Sequence, residues 1–419
     1  MSSSARLGLT RKSCDDEIRA CVAEWVEANV PQAWRDAAPR GRAAIREVRP
    51  RTEYEAWYPT FADSGLAVAT WPAEYVGLDL TPDQARVAED VLAPFNLGRL
   101  NPLGLNSAAP ALFAHGTEEQ RLRFLPPMVR DQERWCQLLS EPGAGSDLAS
   151  LATRAVRDGD EWVMDGQKVW TTWAHFSDYA VCLARTDPTL KKRQGLTYFI
   201  VDLRAPGVDV RPLRHIGGAV DFNEVFLDGV RVPDAYRIGA AGDGWRVAGS
   251  SLAGERQMVS GAGSGGVDRI GGAGAAALLV RAEELGRTGD AALRHRLMSA
   301  YSEEQVREWT NQRVRATVRA GGTPGAAASI GKVHQGALNQ RIQMVAADLL
   351  DAAATAWESG SSYQDHMPFE VKGMLRSRAN TIEGGTTEVN KNILGERVLG
   401  LPREPDPWAD KPWQEVPRS

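Results

Sequence analysis

Apolar residues recur with helical spacing through residues 1–133, most clearly in 15–27 and 81–92. Thr81 is followed by Pro and Asp, which is typical of a helix start because a hydroxyl cap, an early proline and an acid all suit the positive helix end. Thr117, with Gln three positions later, indicates a second capped start. We therefore predict an N-terminal domain of helices joined by loops.

The pattern changes in 134–242 to short runs rich in β-branched and aromatic residues. Asp, Gly and Pro separate these runs, as they do between strands. Asp158–Asp160 and the pair Asp165-Gly166 are typical of hairpin turns. Several short strands at this spacing predict a middle domain that is a β-sandwich or barrel. The predicted strands lie within 161–174, 179–186, 196–203, 208–213 and 223–233.

Helical spacing returns in 243–400, in long segments joined by short loops. This arrangement predicts an antiparallel four-helix bundle. The predicted helical segments are 246–286, 291–319, 325–358 and 369–398. Residues 401–419 contain five prolines and are predicted to form an extended tail. Helices, then strands, then helices is the order of an α+β protein.

The composition is that of an ordinary globular protein, with 43% apolar and 25% charged residues among 419. The formal charge of −5 leaves no basic excess for binding nucleic acid. The N-terminus lacks the apolar core of a signal peptide, and no run approaches the roughly 18 apolar residues of a membrane span. We therefore expect a cytoplasmic protein without a membrane span.

Neither a metal site nor a dinucleotide fold is predicted. The four cysteines show no CxxC spacing and the six histidines are scattered, so no metal-ligating set is indicated. Gly261–Gly266 matches G-x-G-x-x-G, but no strand precedes it and no acid follows in a strand about 20 residues later. A glycine-rich helix packed closely against its neighbours is the preferred interpretation.

Two motifs of the middle domain carry candidate chemistry. Residues 135–147 read WCQLLSEPGAGSD, in which glycines allow close backbone approach and the Ser140 and Ser146 hydroxyls suit a polar, electron-rich ligand. A long hairpin loop is the alternative. In KVWTTW, the period of two places Trp170 and Thr172 on one strand face, which suits stacking on a flat cofactor. A core tryptophan is the alternative there.

Two further motifs lie in the predicted bundle. Residues 376–397 read RSRANTIEGGTTEVNKNILGER, where Gly384 and Gly385 demand a backbone break among acids and hydroxyls. A capped helix–turn–helix is the alternative. Glu255 and Arg256 follow the run GDGW early in a long helix, where an acid is commonly just a partner of the helix dipole.

Together these motifs resemble the acyl-CoA dehydrogenase family. The matching motifs, in order, are SEPGAGSD (140–147), KVWTT (168–172), FNEVFLDGVRVPD (222–234), GDGW (242–245), ASIGK (328–332) and SRANTIEGGTTEV (377–389). The resemblance covers nearly the whole chain, and SEPGAGSD followed by KVW at this spacing is highly specific. It implies an N-terminal helical domain, a middle β-domain and a C-terminal four-helix bundle, with FAD as cofactor and an acyl-CoA as substrate.

The resemblance also implies roles for individual residues. The resemblance implies that Gln137, Leu139 and Ser140 lie beside the flavin ring of FAD. It implies that Trp170 stacks on this ring and that Thr172 lies near the reactive nitrogen. Thr386 and Glu388, after the glycine turn, are implied to contact FAD as well. Ser146 is implied to lie at the CoA end of the substrate. The implied reaction is α,β-dehydrogenation: a carboxylate removes the α-proton while hydride leaves the β-carbon for the flavin.

Family members place the catalytic base in one of two positions. Many have Glu directly before Gly-Thr in the C-terminal turn, but here Gly384 fills that slot and Glu383 falls one place early. Others have the base in an E-R pair early in the first bundle helix, which Glu255 and Arg256 match. We predict Glu255 as the base, with Arg256 beside it in the substrate site, holding local structure and charge. Glu383, or no competent base, remains the alternative.

One family feature is missing from this chain. Most members carry Arg-x-x-Phe-Gly after the first bundle helix, whose arginine reaches the FAD pyrophosphate of a neighbouring subunit, and neither Arg281 nor Arg287 fits that spacing. We expect a homo-oligomer that passes electrons to an electron-transfer flavoprotein, or a heteromeric complex with a related subunit. The alternative functions are a non-catalytic partner subunit and a flavin oxidase or monooxygenase on the same fold.

Overall fold

The computed structural model describes residues 6–259, 274–319, 329–356 and 367–417, without the side chains of 42–43, 253–259, 315 and 318–319. Within these ranges the chain forms helices, then a sheet, then helices, so the predicted α+β order is confirmed. The glycine motif at 261–266, for which a close-packed helix was predicted, lies outside the described residues.

Local capping starts two of the N-terminal helices where the sequence predicts. The Thr81 hydroxyl accepts from the Gln84 amide at 3.3 Å and the Thr117 hydroxyl from the Gln120 amide at 3.2 Å, and each Gln side chain bonds back to the cap. The helices pack around an aromatic core in which Trp34 is fully buried. They are α1 (Asp15–Asn29), α2 (Gln32–Ala37), α3 (Arg42–Val48), α4 (Arg51–Asp63), α5 (Pro82–Leu92), α6 (Ala109–His115) and α7 (Glu118–Val129).

The strands of the middle region form one continuous sheet. They are β1 (Trp135–Leu138), β2 (Arg154–Asp158), β3 (Glu161–Thr172), β4 (Tyr179–Arg185), β5 (Leu196–Asp202), β6 (Val208–Leu213), β7 (Phe222–Pro233) and β8 (Arg237–Ile238). Their order is β6-β7-β3-β2-β4-β5-β8, and β1 runs parallel to one end of β4. The other end of β4 meets β2, so β1 and β2 lie end to end along the same neighbour.

Both faces of the central strands are buried, and alternate residues serve different cores. Val181 and Leu183 of β4 pack with the N-terminal helices, whereas Cys182 packs with side chains of β3 and β7. Trp162 of β3 meets Phe199 of β5 with ring centroids 5.4 Å apart, although these strands are not neighbours in the sheet. The sheet therefore closes over its own apolar core, as expected of a sandwich or barrel.

One predicted hairpin is confirmed and the other is wrong. Asp158–Asp160 joins β2 to β3, with Gly159 at φ +66°. Asp165 and Gly166 instead lie inside β3, at a local irregularity in its pairing with β7. A Cβ on Gly166 would approach the Thr153 Cα to 2.7 Å, so this glycine allows a close approach of two backbones rather than a turn.

The C-terminal helices surround a separate apolar core formed by α9, α10 and α11. The helices are α8 (Gly244–Val259), α9 (Ala275–Glu284), α10 (Ala291–Arg319), α11 (Ser329–Leu349), α12 (Phe369–Arg376) and α13 (Thr387–Arg397). Gly384 and Gly385 have φ of +62° and +88°, which supplies the predicted backbone break between α12 and α13. In the described ranges no helix has both the length and the apolar character needed to span a membrane.

Candidate functional site

The end of β1 and the end of β3 meet in the middle domain, and this brings two of the sequence motifs together. The Val169 amide donates to the Ser140 carbonyl at 2.9 Å, and the Lys168 ammonium donates to the Leu139 carbonyl at 3.0 Å. These bonds place Leu139 and Ser140 directly beside Trp170. The residues predicted to line a flat cofactor from β1 and β3 therefore belong to one region of the fold.

Trp170 is presented to solvent rather than packed in a core. Its residue surface is 55% exposed, so the alternative of a core tryptophan is wrong. The pairing of β3 with β7 is irregular between Lys168 and Thr171, and Trp170 itself has φ +60°. Thr171 is buried and Thr172 is half-buried, which keeps Trp170 and Thr172 on the more open side of the strand.

Gln137 connects β1 to the first bundle helix through buried hydroxyl groups. Its side-chain amide donates to the hydroxyl of Ser107, which lies in a π-helical turn, Gly104–Ala108. The Ser251 hydroxyl of α8 donates to the Ser107 carbonyl at 3.0 Å and accepts from the Tyr198 hydroxyl at 3.0 Å. Ser107, Tyr198 and Ser251 are almost fully buried, so α8 is held firmly against the sheet.

Glu255 and Arg256 belong to the backbone of α8, one turn beyond Ser251. Their side chains lie outside the described residues. The structure thus places the helix that carries the predicted base against β5, and Ser107 links this helix to Gln137 of β1.

A buried ion pair between Lys168 and Glu141 fixes the start of the glycine-containing loop. This pair was not predicted from the sequence. The Lys168 ammonium bonds the Glu141 carboxylate at 2.9 Å and the Leu183 carbonyl at 2.8 Å, and the Lys168 side chain has no exposure. The Glu141 carboxylate also accepts from the Ala152 amide at 2.6 Å and the Thr153 amide at 2.9 Å. Lys168 could have been suspected from the sequence because it is a charged residue within an otherwise strand-like, buried segment.

The ionisation of Glu141 follows from this environment. Burial alone raises the pKa of the Glu141 carboxyl, but Lys168 and the hydrogen bonds from Thr153 and Ala152 outweigh it. The net result is a pKa below the ordinary glutamate value. Glu141 is therefore a charged structural anchor and is poorly suited to accept a proton during a reaction.

Ser146 lies on the exposed part of the same loop. The following Asp147 is tied down: its carboxylate accepts from the Ser150 hydroxyl at 2.5 Å and from the Lys192 ammonium at 2.7 Å. The loop therefore presents an accessible hydroxyl from a backbone that is anchored on both sides.

The glycine turn forms the second part of the candidate site. Thr386 caps α13, with its hydroxyl accepting from the Val389 amide at 3.1 Å, and Glu388 is exposed in the first turn. The Thr387 hydroxyl and the Asn390 side-chain oxygen are buried and lack a hydrogen-bond partner within the described structure. Buried polar atoms are usually satisfied, so this helix start has unused capacity for a polar ligand.

Glu383 is engaged by its own neighbours, and these neighbours reach β7. Its carboxylate bonds the Arg376 guanidinium at 2.7 Å and the Asn380 side-chain amide at 3.0 Å. Arg376 also lies 5.8 Å from the centre of the Phe222 ring, and Phe222 pairs with Thr172 and contacts the Trp170 ring edge-on at 5.8 Å. The glycine turn is thereby linked to the open end of β3.

The two arginines near the missing family motif are already paired within the chain. Arg281 bonds Glu284 at 3.0 Å and Glu370 at 3.2 Å. Arg287 lies 3.2 Å from Asp351 and 3.7 Å from Asp290. Both guanidinium groups therefore make their ion pairs with carboxylates of the C-terminal region.

Models of three domains match the chain in order. They are described as the N-terminal, middle and C-terminal domains of acyl-CoA dehydrogenases, and they match residues 8–132, 136–230 and 242–399. The chain belongs to the acyl-CoA dehydrogenase family, a family of FAD-dependent oxidoreductases.

Individual relatives agree with this membership. Acyl-CoA dehydrogenase IpdE1 of Mycobacterium tuberculosis is 36% identical over 93% of this chain and 98% of its own length. Acyl-CoA dehydrogenase FadE34 of the same organism is 39% identical over 87% of this chain. The match covers 48% of FadE34, so this chain spans about half the length of that relative. A solved structure described as the Tcur3481-Tcur3483 steroid ACAD matches with a TM-score of 0.72 at 27% identity, covering 93% of this chain and 98% of that one.

The residues present fit FAD. The open Trp170 indole offers a face for a flat ring, and aromatic pairs of this kind are favourable when offset-stacked. The unsatisfied Thr387 and Asn390 oxygens at the start of α13 offer acceptors for the polar part of such a ligand. Trp170 belongs to the middle sheet, whereas the Thr387 and Asn390 oxygens belong to the C-terminal region. The contact between Arg376 and Phe222 joins these two parts.

Proposed function

We propose that this chain dehydrogenates an acyl-CoA thioester between its α and β carbons to give the trans-2-enoyl-CoA. Membership of the acyl-CoA dehydrogenase family supports the reaction class. The observation on which the proposal chiefly depends is the meeting of β1 and β3, which sets Leu139 and Ser140 beside an exposed Trp170. In this proposal the flat ring of the cofactor binds where these two strands meet.

We propose the following division of roles. Gln137, Leu139 and Ser140 line the ring of FAD, Trp170 stacks on it, and Thr172 hydrogen-bonds near its reactive nitrogen. Thr386 and Glu388 contact the cofactor from the start of α13, where the neighbouring oxygens of Thr387 and Asn390 are unsatisfied. Ser146 contacts the CoA end of the substrate from its exposed loop.

We propose Glu255 as the base that removes the α-proton, with Arg256 beside it in the substrate site. The buried contacts of Ser251 support this because they hold α8 against Tyr198 of β5 and against Ser107, to which Gln137 of β1 also bonds. The engagement of Glu383 by Arg376 and Asn380 also supports it, since that carboxylate is already occupied by structural partners. The charged anchor Glu141 is excluded as a base by its partner Lys168.

The proposed reaction removes a proton from the α carbon and a hydride from the β carbon. The C–H bond at the α carbon breaks heterolytically and its proton passes to the Glu255 carboxylate, while the thioester carbonyl must be polarised as enolate charge develops. Bound FAD supplies the acceptor for the hydride that leaves the β carbon. The protein contributes position and a water-poor environment, in which a carboxylate becomes a stronger base.

The test is the visible spectrum of the purified protein, recorded without oxygen before and after addition of acyl-CoA thioesters. A flavin band that bleaches with one thioester is the expected result and begins to identify the substrate. The panel includes a steroid-derived thioester because the matched Tcur3481-Tcur3483 structure is described as a steroid ACAD. A flavin band that no thioester bleaches would contradict the proposal.

Replacing the base provides the first mutational prediction. Glu255→Gln is expected to retain FAD and bind the thioester, but to lose flavin reduction by several orders of magnitude because no carboxylate accepts the proton. Glu383→Gln is the matched control and is expected to retain reduction. Stopped-flow absorbance under anaerobic conditions measures both rates. Normal reduction by Glu255→Gln would end this assignment.

We further propose that the chain works with a related subunit and donates electrons to an electron-transfer flavoprotein. The matched steroid ACAD pairs two proteins, Tcur3481 and Tcur3483. In this chain, Arg281 and Arg287 are both occupied by carboxylates, which agrees with FAD phosphate contacts being supplied by another subunit. Co-purification from the native host, followed by mass determination of the complex, tests this arrangement.

A further inference from the structure

The C-terminal segment 401–417 returns from the bundle to the middle domain, and we call it the tail. The Trp413 amide donates to the Leu190 carbonyl at 2.8 Å and the Gln414 amide donates to the Pro188 carbonyl at 3.1 Å. The Lys191 ammonium pairs with the Asp410 carboxylate at 2.5 Å. Residues 407–410 form a turn and Trp413–Glu415 a 3-10 helix, so the tail is docked on the middle domain and part of it is coiled.

Trp413 is the centre of this docking. Its residue surface is only 7% exposed. Its ring centre lies 4.4 Å from the guanidinium carbon of Arg185, a cation–π contact. Its indole N–H donates to the Ser150 carbonyl at 3.1 Å, across 263 positions of sequence.

Arg185 and Trp413 together bind consecutive carbonyl groups of one loop. Arg185 donates from Nη2 to the Ala149 carbonyl at 2.6 Å and from Nε to the Leu151 carbonyl at 3.2 Å. The Ser150 carbonyl between them accepts from Trp413. Side chains from outside the loop thus donate hydrogen bonds to every backbone carbonyl from 149 to 151, and these bonds fix the path of the loop backbone.

This loop is the continuation of the segment that carries Ser146. Glu141, at the beginning of the loop, is tied to the residues that follow the loop, because its carboxylate accepts hydrogen bonds from the Ala152 and Thr153 amides. Its end is fixed by Arg185, which is 3% exposed, and Trp413 covers the guanidinium. Removing the indole would uncover Arg185 and free the Ser150 carbonyl, so the 146–151 part would gain conformational freedom that ligand binding must then remove.

We propose that Trp413 is a positioning residue which, through Arg185 and the Ser150 carbonyl, fixes the loop 141–151 and thereby sets the affinity for the CoA part of the substrate. This inference rests on the proposed function because that function assigns Ser146 to the CoA end of the site. The docking of the tail on the loop is independent of that assignment. The two can therefore be tested separately.

The experiment compares Trp413→Ala, Trp413→Phe and Trp408→Ala in the full chain. Trp408 is the matched control because it lies in the same tail and is 40% exposed. Hydrogen–deuterium exchange of peptides covering 146–153 measures the loop. Steady-state kinetics with the thioester found by flavin bleaching, together with the dissociation constant of CoA, measure the site. FAD content is determined for each protein.

For Trp413→Ala we expect exchange in 146–153 to rise at least tenfold, KM and the dissociation constant of CoA to rise about tenfold, and kcat and FAD content to change less than twofold. Trp413→Phe keeps a ring over Arg185 but lacks the N–H, so it should recover part of the affinity. Trp408→Ala should match the wild type in every measurement.

Two results would overturn the inference. Unchanged exchange in Trp413→Ala would show that the tail does not hold the loop. Faster exchange with an unchanged KM and CoA affinity would show that the loop does not set affinity. If the wild-type protein itself binds neither CoA nor a thioester, the proposed function fails, while the exchange measurement still decides whether Trp413 holds the loop.

Discussion

In the Lys168–Glu141 pair the lysine side chain has no exposure, the glutamate side chain is 8% exposed, and both charged groups are hydrogen-bonded. Lys168 makes bonds to Glu141 and to the Leu139 and Leu183 carbonyls, while Glu141 also accepts from two backbone amides. Such a pair contributes little compared with a well-packed apolar pair, but it is costly to break because the remaining charge is left buried. Its effect here is to join β3, β4 and the loop after β1 at one point.

Lys168→Met is expected to lower the free energy of unfolding by about 3–5 kcal/mol, because the Glu141 charge would remain buried without its partner. The double variant Glu141→Gln with Lys168→Met should recover a substantial part of this loss, since neither position then carries a charge. Urea denaturation monitored by circular dichroism measures all three proteins. A loss below about 1 kcal/mol in the single variant would show that the pair is not an anchor.

The same pair predicts a response to acid. The pKa of Glu141 is lowered in the folded protein, so its contribution to stability is complete above the ordinary glutamate pKa and is lost as the pH falls through the lowered value. The wild type should therefore lose stability between mildly acidic and strongly acidic pH more steeply than Glu141→Gln. Parallel slopes of melting temperature against pH for the two proteins would argue against this.

Among the secondary-structure elements, β3 approaches the start of β2 closely. Gly166 faces Thr153, and a Cβ at Gly166 would lie 2.7 Å from the Thr153 Cα. Thr153 in turn donates its amide to Glu141, so the approach supports the anchored loop as well as the sheet. A side chain at this position would push the two strands apart.

Gly166→Ala is expected to destabilise the fold by about 1–3 kcal/mol, because the added methyl group has no space without a backbone shift. Gly98→Ala is the matched control, since a Cβ there would meet nothing within 4 Å. Thermal unfolding by differential scanning calorimetry compares the two. Equal stabilities would mean that the sheet can open at this point without cost.

At the scale of the whole molecule, the proposed cofactor site joins parts that have separate cores. The middle sheet contributes β1 and β3, and the C-terminal region contributes the start of α13, with Arg376 and Phe222 in contact between them. A ligand that binds both parts stabilises only the folded arrangement. FAD should therefore act as a structural link as well as a cofactor.

Removing FAD is accordingly expected to lower the melting temperature, and restoring it at 100 times its dissociation constant should add about 2.7 kcal/mol to the free energy of unfolding. Trp170→Ala should weaken this response because the exposed ring face is lost, whereas Trp408→Ala should respond like the wild type. Differential scanning fluorimetry with and without FAD measures the shift. An equal shift in Trp170→Ala would count against stacking.

Several features were predictable because the signals that specify them are local. The caps at Thr81 and Thr117 involve residues three positions apart, and the hairpin at Gly159 needs only a left-handed residue between two strands. The glycine break before α13 has the same character. The order of helical and strand periodicity along the chain likewise predicted the α+β architecture.

The sequence alone therefore determined the order of the elements, their capped starts and the family to which the motifs point, because these depend on neighbours along the chain. Only the tertiary structure decided that Gly166 allows a close approach rather than a turn, that Lys168 and Glu141 form a buried pair, and that Trp413 returns to Ser150. Each of these contacts joins residues distant in sequence. Such partners become neighbours only when the whole backbone has been arranged by packing.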